Sequence, residues 1–384
     1  MKWCVIQPLA GGMALGAKNA IGNYPEFILS QRPFEFNDSF LLDYWKDKVP
    51  YYFLEDSPVV DYSDMDLVIS VPVCAGLSQL NSSKTRGSDA PQNDNMLFNA
   101  KHALEIIKPK VFIFENAPAL FTSIGAGVVE KLKELATKNS YSFTLYKTDT
   151  LKHGIPQKRR RTFAMFWKDS NCPVLEYCDK RTTLKEYFSK IDPSASYQDK
   201  FVEPNILDSP YFDYIKNHAD LKHRIAEFEG LSFISIISKH GLLEDFAHTT
   251  TDEKAKANAL RIDAKLKDGK NYWDHTPFFL KQDYVGAIQG RLYGRTIYTE
   301  EMRDLSIREI ISLMGHPDDY ELKNDPIKNL SVIGQNVPVK TAQFITSQAV
   351  KFINGELPLT DQSFTKQDNT KEQTTEIASL SAFF

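Results

Sequence analysis

Asp66-Leu67-Val68-Ile69-Ser70-Val71-Pro72-Val73-Cys74-Ala75-Gly76-Leu77-Ser78 is the stretch on which the fold turns. Leu67–Val71 is apolar except for Ser70, with the length and β-branching of a buried strand. The run stops at Pro72, and the small residues that follow form a turn carrying Cys74. A cysteine there is either a packing residue or a nucleophile presented at a strand end.

Runs of the same kind lie on both sides: Trp3–Ile6, Phe27–Leu29, Val111–Phe114, Phe143–Tyr146 and Phe163–Phe166. Between two of them the spacing predicts a helix over Asn99–Lys108, with Ala103, Leu104, Ile106 and Ile107 toward the sheet. Strands alternating with amphipathic segments imply an α/β fold, a doubly wound and mostly parallel sheet whose ligands bind beyond the carboxyl ends of the strands. Cys74 falls there, and so does Glu115 in Phe112-Ile113-Phe114-Glu115-Asn116-Ala117-Pro118. A carboxylate emerging from an apolar strand can cap a helix, pair with a cation, or be kept protonated by burial and serve as an acid.

A third element is Gly154-Ile155-Pro156-Gln157-Lys158-Arg159-Arg160-Arg161, a turn entering the strand Phe163–Phe166. Strand alternation puts Arg159 and Arg161 on one face. Two guanidinium groups so placed suit a carboxylate, a phosphate or a base carbonyl; a surface basic cluster is the plain alternative.

The whole-chain figures bound these readings. With 384 residues the chain predicts about two domains. Hydrophobic content of 42% and charged content of 25% are those of a globular protein. No run approaches the roughly 18 apolar residues of a membrane span. The amino terminus enters a strand without the zones of a signal peptide, which predicts a cytoplasmic protein. Four cysteines, Cys4, Cys74, Cys172 and Cys178, give neither a disulfide framework nor a zinc pattern, so no metal site is expected. Net charge of −4 rules out a uniformly basic protein but not a local cationic cleft for nucleic acid.

Beyond about Ser170 the strand–helix rhythm is lost until Tyr284, which predicts a second domain. Within it Thr251–Lys267 is lysine-rich and helix-compatible, either a solvated face or a face for phosphates. Ser306–Met314 and Thr341–Phe352 predict helices. Residues after Leu357, rich in Thr, Gln, Asp, Lys and Ser, predict a disordered tail.

The Pro-Cys turn, the Glu-Asn turn and the Gln-x-Arg-x-Arg strand entry, in this order and at this spacing, resemble the core motifs of the DNA cytosine-5 methyltransferases. Arg303-Asp304-Leu305-Ser306-Ile307-Arg308-Glu309 with Met314-Gly315-His316-Pro317-Asp318 resembles the family's penultimate motif, and Ile333-Gly334-Gln335-Asn336-Val337-Pro338 its last. The resemblance spans 1–167 and about 286–353. It implies a Rossmann-like, S-adenosyl-L-methionine-dependent methyltransferase core over 1–167, a smaller target-recognition domain over 168–285, a return segment over 286–356 that completes the core, and the tail over 357–384. It also implies methylation of carbon 5 of a flipped cytosine in a specific double-stranded DNA sequence, by a monomer acting alone or beside a cognate restriction endonuclease. Cys74 matches the nucleophile, Glu115 the acid at ring nitrogen 3, Arg161 the contact to the base carbonyl, and Arg159 its support. Ala10, Gly11, Gly12, Asp56, Pro72, Leu97, Gln335 and Asn336 match cofactor-pocket positions; Ser78, Gln157 and Arg303 match DNA contacts. Ser78–Asn95 resembles the loop that closes over the flipped base.

The chain departs from the family pattern near the cofactor. Its first turn reads Gln7-Pro8-Leu9-Ala10-Gly11-Gly12 where relatives carry a phenylalanine and three glycines, so Leu9 replaces a glycine. Gln31-Arg32 aligns where an acidic residue holds the cofactor ribose. Val73 replaces the proline that commonly precedes the cysteine. Two alternatives follow: an RNA cytosine-5 methyltransferase on the same fold, and a DNA-binding pseudoenzyme without cofactor use.

Overall fold

The computed structural model describes residues 1–46, 48–78, 86–191, 208–272, 276, 278–279, 283–288, 296–298, 303–305, 307–324 and 326–371. In chain order the first half comprises β1 Trp3–Ile6, α1 Gly12–Ile21, β2 Ile28–Ser30, α2 Glu35–Trp45, β3 Tyr51–Phe53, β4 Leu67–Ser70, α3 Asn93–Lys101, β5 Val111–Asn116, α4 Ala126–Lys138, β6 Tyr141–Asp149, β7 Gln157–Lys158 and β8 Arg160–Lys168. The second half comprises α5 Leu184–Phe188, α6 Pro210–Asn217, α7 Phe233–Lys239, α8 Leu243–Thr249, α9 Glu253–Lys267, β9 Phe278–Phe279, β10 Val285–Gly286, β11 Thr296–Tyr298, β12 Arg303–Asp304, α10 Ile307–Leu313, α11 Pro326–Gln335, α12 Val339–Ile353 and β13 Phe364–Asp368.

Eight strands form the main sheet in the order β13-β6-β8-β5-β4-β1-β2-β3. Only β8 runs antiparallel to its neighbours β5 and β6. The period of two in each strand sorts its residues into two cores: Trp3, Val5, Leu67, Ile69, Val111 and Ile113 face one layer, and Cys4, Ile6, Val68, Phe112 and Phe114 the other. Burial on both faces explains why these runs are almost uninterruptedly apolar. The chain leaves β1 toward β2 and β3, then crosses back to β4, so the switch point lies between β1 and β4. Cys74 follows β4 and the glycine turn follows β1, both at that crevice.

Three expectations are corrected. Asn99–Lys108 is not one α-helix: α3 gives way to a π-helical turn over His102–Ile107. The wider turn rotates the side chains, so Ala103, Leu104 and Ile107 are buried while Ile106 faces out. The tail is not disordered from 357, because β13 pairs in parallel with β6, from Phe364 beside Phe143 to Asp368 beside Lys147. This edge strand is fixed by backbone pairing, a Lys147–Asp368 ion pair of 2.7 Å and a Phe143–Phe364 ring contact, which a polar sequence permits. Residues 372–384 of the expected tail lie outside the described residues. Finally, 168–190 does not belong with the middle segment: Cys172, Leu175, Leu184 and Tyr187 join the first core, and Cys172 N donates to Gln362 O.

The middle segment has its own core, in which Phe212, Ile215, Phe233, Ile237, Phe246 and Ile262 pack together. Its lysine-rich helix α9 starts on Asp252, whose carboxylate accepts from the Lys254 and Ala255 amides. Ala255, Ala259 and Ile262 are its buried face. Lys267 on the outer face is paired with Asp263 and Glu244.

Candidate active site

The Cys74 turn is held from below. Leu77 N donates to Cys74 O, and Gly87 N to Gly76 O. A side chain at Gly76 would meet Asn93 Oδ1 at 2.4 Å, and Asn93 itself donates to the carbonyls of Gly87 and Ser88. Gly76 is therefore a packing requirement of the turn. Val73 N donates to Asn95 Oδ1 at 2.9 Å. Ser78, expected at DNA, is half-buried four residues beyond the cysteine; residues 79–85 of the expected closing loop lie outside the described residues.

Antiparallel pairing sets Asn116 beside Thr162 and Glu115 beside Phe163, which delivers Arg161 to the end of β5. Its Nε lies 2.6 Å from Glu115 Oε1, with Glu115 almost wholly buried. Arg159 is buried too, its guanidinium donating to the carbonyls of Ile288, Gly334 and Asn336 at 2.6, 2.9 and 2.8 Å. The structure thus unites Cys74, Glu115, Arg159 and Arg161.

Their charges compete. Burial pushes the Glu115 carboxyl above its ordinary range while Arg161 and then Arg159 pull it down. Burial also raises the Cys74 thiol, Glu115 adds to that, and the two arginines oppose it. Burial and the neighbouring Arg161 lower the pKa of Arg159. The result is a thiol held largely protonated until its surroundings change, beside a carboxyl that can keep a proton.

At the crevice, Gly11 takes a left-handed φ of 81° ahead of α1. Gly12 N donates to Asn336 Oδ1 at 2.9 Å, and a side chain at Gly12 would meet Val337 O at 1.9 Å. Gly12 and Asn336 therefore meet each other and form one wall. The Asn336 amide nitrogen is 2.6 Å from His316 Nε2. With its oxygen occupied by Gly12, Asn336 is the donor there, which requires a neutral imidazole; burial pulls His316 down to about 3. Ala10 O accepts from Tyr320 at 2.7 Å. Pro72 is buried at the end of β4 and Leu97 is half-buried above it in sequence. Gln335 is exposed and donates to Ser331. Asp56 is exposed in a 2.6 Å ion pair with Arg32.

Leu9, where the family carries glycine, also adopts a left-handed φ of 54°. Its amide donates to Asp38 Oδ1 at 2.9 Å, and Asp38 also accepts from Ser30 and Tyr51. Burial pushes Asp38 up to about 7. The sequence assigned no hydrogen-bonding role to Asp38, Asn95, His316 or Tyr320, because what each of them holds is set only by the fold.

One expected DNA contact is corrected. Gln157 is fully buried, donating to Leu313 O at 3.0 Å and accepting from Ile288 N at 3.1 Å. It holds the return segment to the core. Arg303 lies in β12, and its side chain is outside the described residues. Among the described residues there is no cluster of His, Cys, Asp or Glu able to hold a metal ion, and no helix long and apolar enough to cross a membrane.

The crevice suits the cofactor that this site chemistry requires. It offers a backbone turn at the switch point, and Gln7 Nε2 is buried beside it with no partner among the described residues. A methyltransferase sheet with a cysteine, a buried carboxyl and two arginines beyond its carboxyl ends defines a class, the enzymes that methylate a base through a thiol. A family profile described as C-5 cytosine-specific DNA methylase matches residues 44–351, and the chain belongs to that family. It is a DNA cytosine-5 methyltransferase that uses S-adenosylmethionine and acts on DNA.

Relatives agree. Type II methyltransferase M.Bpa9945I of Bacillus paralicheniformis is 22% identical, over 76% of this chain and 72% of that protein. Type II methyltransferase M.HaeII of Haemophilus aegyptius is 22% identical, over 79% and 80%. Among solved structures, the Entamoeba histolytica methyltransferase EhMeth has a TM-score of 0.56 at 12% identity, covering 92% of this chain and 98% of that one. The last likeness is one of fold.

Proposed function

We propose that Cys74 is the nucleophile and Glu115 the acid of this methyl transfer. The observation that carries the assignment is the convergence of Cys74, Glu115, Arg159 and Arg161 where β4 and β5 end and β8 begins. Cys74 gives up its proton to solvent as the site fills, its thiolate adds to carbon 6 of the flipped cytosine, and the electrons of the 5,6 double bond move toward ring nitrogen 3. Glu115 donates a proton or strong hydrogen bond to that nitrogen, and Arg161 holds Glu115 in place. Carbon 5 is then a nucleophile. S-adenosylmethionine, held by Ala10–Gly12, Pro72, Leu97 and Asn336, supplies an electrophilic methyl group on a sulfonium. Loss of the carbon 5 proton to water expels the Cys74 thiolate from carbon 6, and nitrogen 3 returns its proton to Glu115, which restores the ring and the acid.

Ser78 and Arg303 belong to the DNA side of the cleft, and the middle segment reads groove edges of the flanking bases. The reading extends to a cytoplasmic monomer, and the type II names of its relatives make a cognate restriction endonuclease a candidate partner. The test is duplex DNA carrying 5-fluorocytosine. Wild type forms an irreversible protein–DNA adduct, whereas Cys74→Ala forms none yet binds DNA within about threefold of wild type, since affinity rests on phosphate and groove contacts. An adduct with the alanine variant refutes the assignment.

A further inference from the structure

Two features that look like separate departures from the family pattern, Val73 and Gln31, meet in one hydrogen-bonded unit. Val73 stands where a proline commonly precedes the cysteine. A proline would fix the turn through its ring and would have no amide hydrogen to give. Val73 lacks the ring but keeps the amide, and the amide donates to Asn95 Oδ1 at 2.9 Å. The other end of the same side chain, Asn95 Nδ2, donates to Gln31 Oε1 at 2.8 Å. Gln31 stands where an acidic residue is expected at the cofactor ribose, just after β2. A single asparagine in α3 therefore uses both halves of its amide to tie the residue before the nucleophile to the rim of the cofactor crevice.

We propose that Asn95 is a positioning residue that replaces the missing proline constraint on the Cys74 turn and at the same time orients Gln31 toward the cofactor. The inference rests on Cys74 being the nucleophile. Asn95 touches neither reacting atom, so it acts through the backbone of Val73 and through the amide of Gln31. An aspartate at 95 still accepts the Val73 amide, and Gln31 can turn its own amide to donate. An alanine loses both bonds, and adding proline at 73 returns only the first constraint.

The experiment compares wild type, Asn95→Ala, Asn95→Asp and the double variant Asn95→Ala with Val73→Pro, each checked for a cooperative melt. The readouts are the single-turnover rate of adduct formation on 5-fluorocytosine DNA at saturating cofactor, DNA affinity, and cofactor affinity by calorimetric titration without DNA. Asn95→Ala should slow adduct formation about tenfold, the worth of one well-placed hydrogen bond, and weaken cofactor binding severalfold with DNA affinity unchanged. Asn95→Asp should recover both. The double variant should recover the adduct rate but not the cofactor affinity. An alanine variant as fast as wild type, or one whose loss neither aspartate nor proline relieves, overturns the turn assignment; unchanged cofactor affinity overturns the link to Gln31. If the proline variant does not fold, the aspartate arm alone decides. Failure of wild type to form the adduct would instead overturn the Cys74 reading.

Discussion

The carboxyl ends of β4 and β5, with the amino end of antiparallel β8 beside them, and the carboxyl ends of β1 and β2 are adjacent stretches of one sheet edge, yet they treat the family pattern in opposite ways. At the first, every group proposed to react matches the family pattern: a thiol, a buried carboxyl and a guanidinium 2.6 Å from it. At the second, Leu9 and Gln31 differ from expectation, as does Val73 where the two regions meet beside Cys74, and the backbone is nevertheless held. Leu9 is fixed by Asp38 and Val73 by Asn95. A reaction fixes the chemical identity of its groups, whereas a turn only needs its dihedrals fixed, and a hydrogen bond from elsewhere in the fold can do that.

The largest expected effect lies in the first region. Glu115→Gln keeps the shape of the side chain and removes its acid, so turnover should fall about 10²- to 10⁴-fold with DNA affinity little changed. A second readout sharpens this. Because Glu115 raises the Cys74 thiol, its neutral replacement should shift the pH profile of Cys74 alkylation to lower pH even as turnover collapses. Alkylation needs the thiolate, so the rate climbs as pH rises through the thiol pKa, and it should climb earlier in the variant. Equal losses of binding and turnover, with an unmoved alkylation profile, would make Glu115 a structural residue and erase the contrast.

An intermediate effect is expected where the two regions are joined. Gly12 has no room for a methyl group, since Val337 O would lie 1.9 Å from it, and its amide holds Asn336. The carbonyl of Asn336 in turn accepts from Arg159. Gly12→Ala should therefore destabilise the protein by about 1–3 kcal/mol through overpacking and weaken cofactor binding about tenfold, with a smaller loss in adduct formation through Arg159. Thermal melts and cofactor titration check this; a variant with normal cofactor affinity would mean that the Gly12–Asn336 wall is not part of the pocket.

What could be read in the sequence follows the same division. Strands buried on both faces were legible as apolar runs: Trp3–Ile6 coincides with β1, and Leu67–Val71 overshoots β4 by one residue. Cys74, Glu115 and Arg161 were legible because each stands at the end of such a run. β13 was not, since an edge strand needs pairing more than burial, and its Phe364-Thr365-Lys366-Gln367-Asp368 has no apolar alternation to betray it. Gln157 was misread because its amide looks like a DNA-reading group until its partners Leu313 and Ile288, more than a hundred residues away, are known. Asn95 and Asp38 were invisible for the same reason: their work is done on residues that are neighbours only after folding.

The smallest effect on turnover should come from Leu9→Gly, which restores the expected glycine. Leu9 sits at φ 54°, a conformation costing a side-chain-bearing residue roughly 1–2 kcal/mol, and glycine would remove that cost. Yet the Leu9 side chain is 5% exposed and packs in the first core, where truncation of a leucine costs about 2–5 kcal/mol, and the freer unfolded chain of glycine adds roughly 0.5–1 kcal/mol. Loss of packing outweighs relief of strain, so the variant should be less stable by about 0.5–5 kcal/mol, a drop of a few degrees in melting temperature. Its turnover at saturating cofactor should stay within about threefold of wild type, because the Asp38 carboxylate still accepts the amide of residue 9 and leaves the turn in place. A variant that melts higher than wild type would show that strain, not packing, dominates at this position. The leucine would then have to owe its place to the cofactor side of the turn, and the second region would be as chemically constrained as the first.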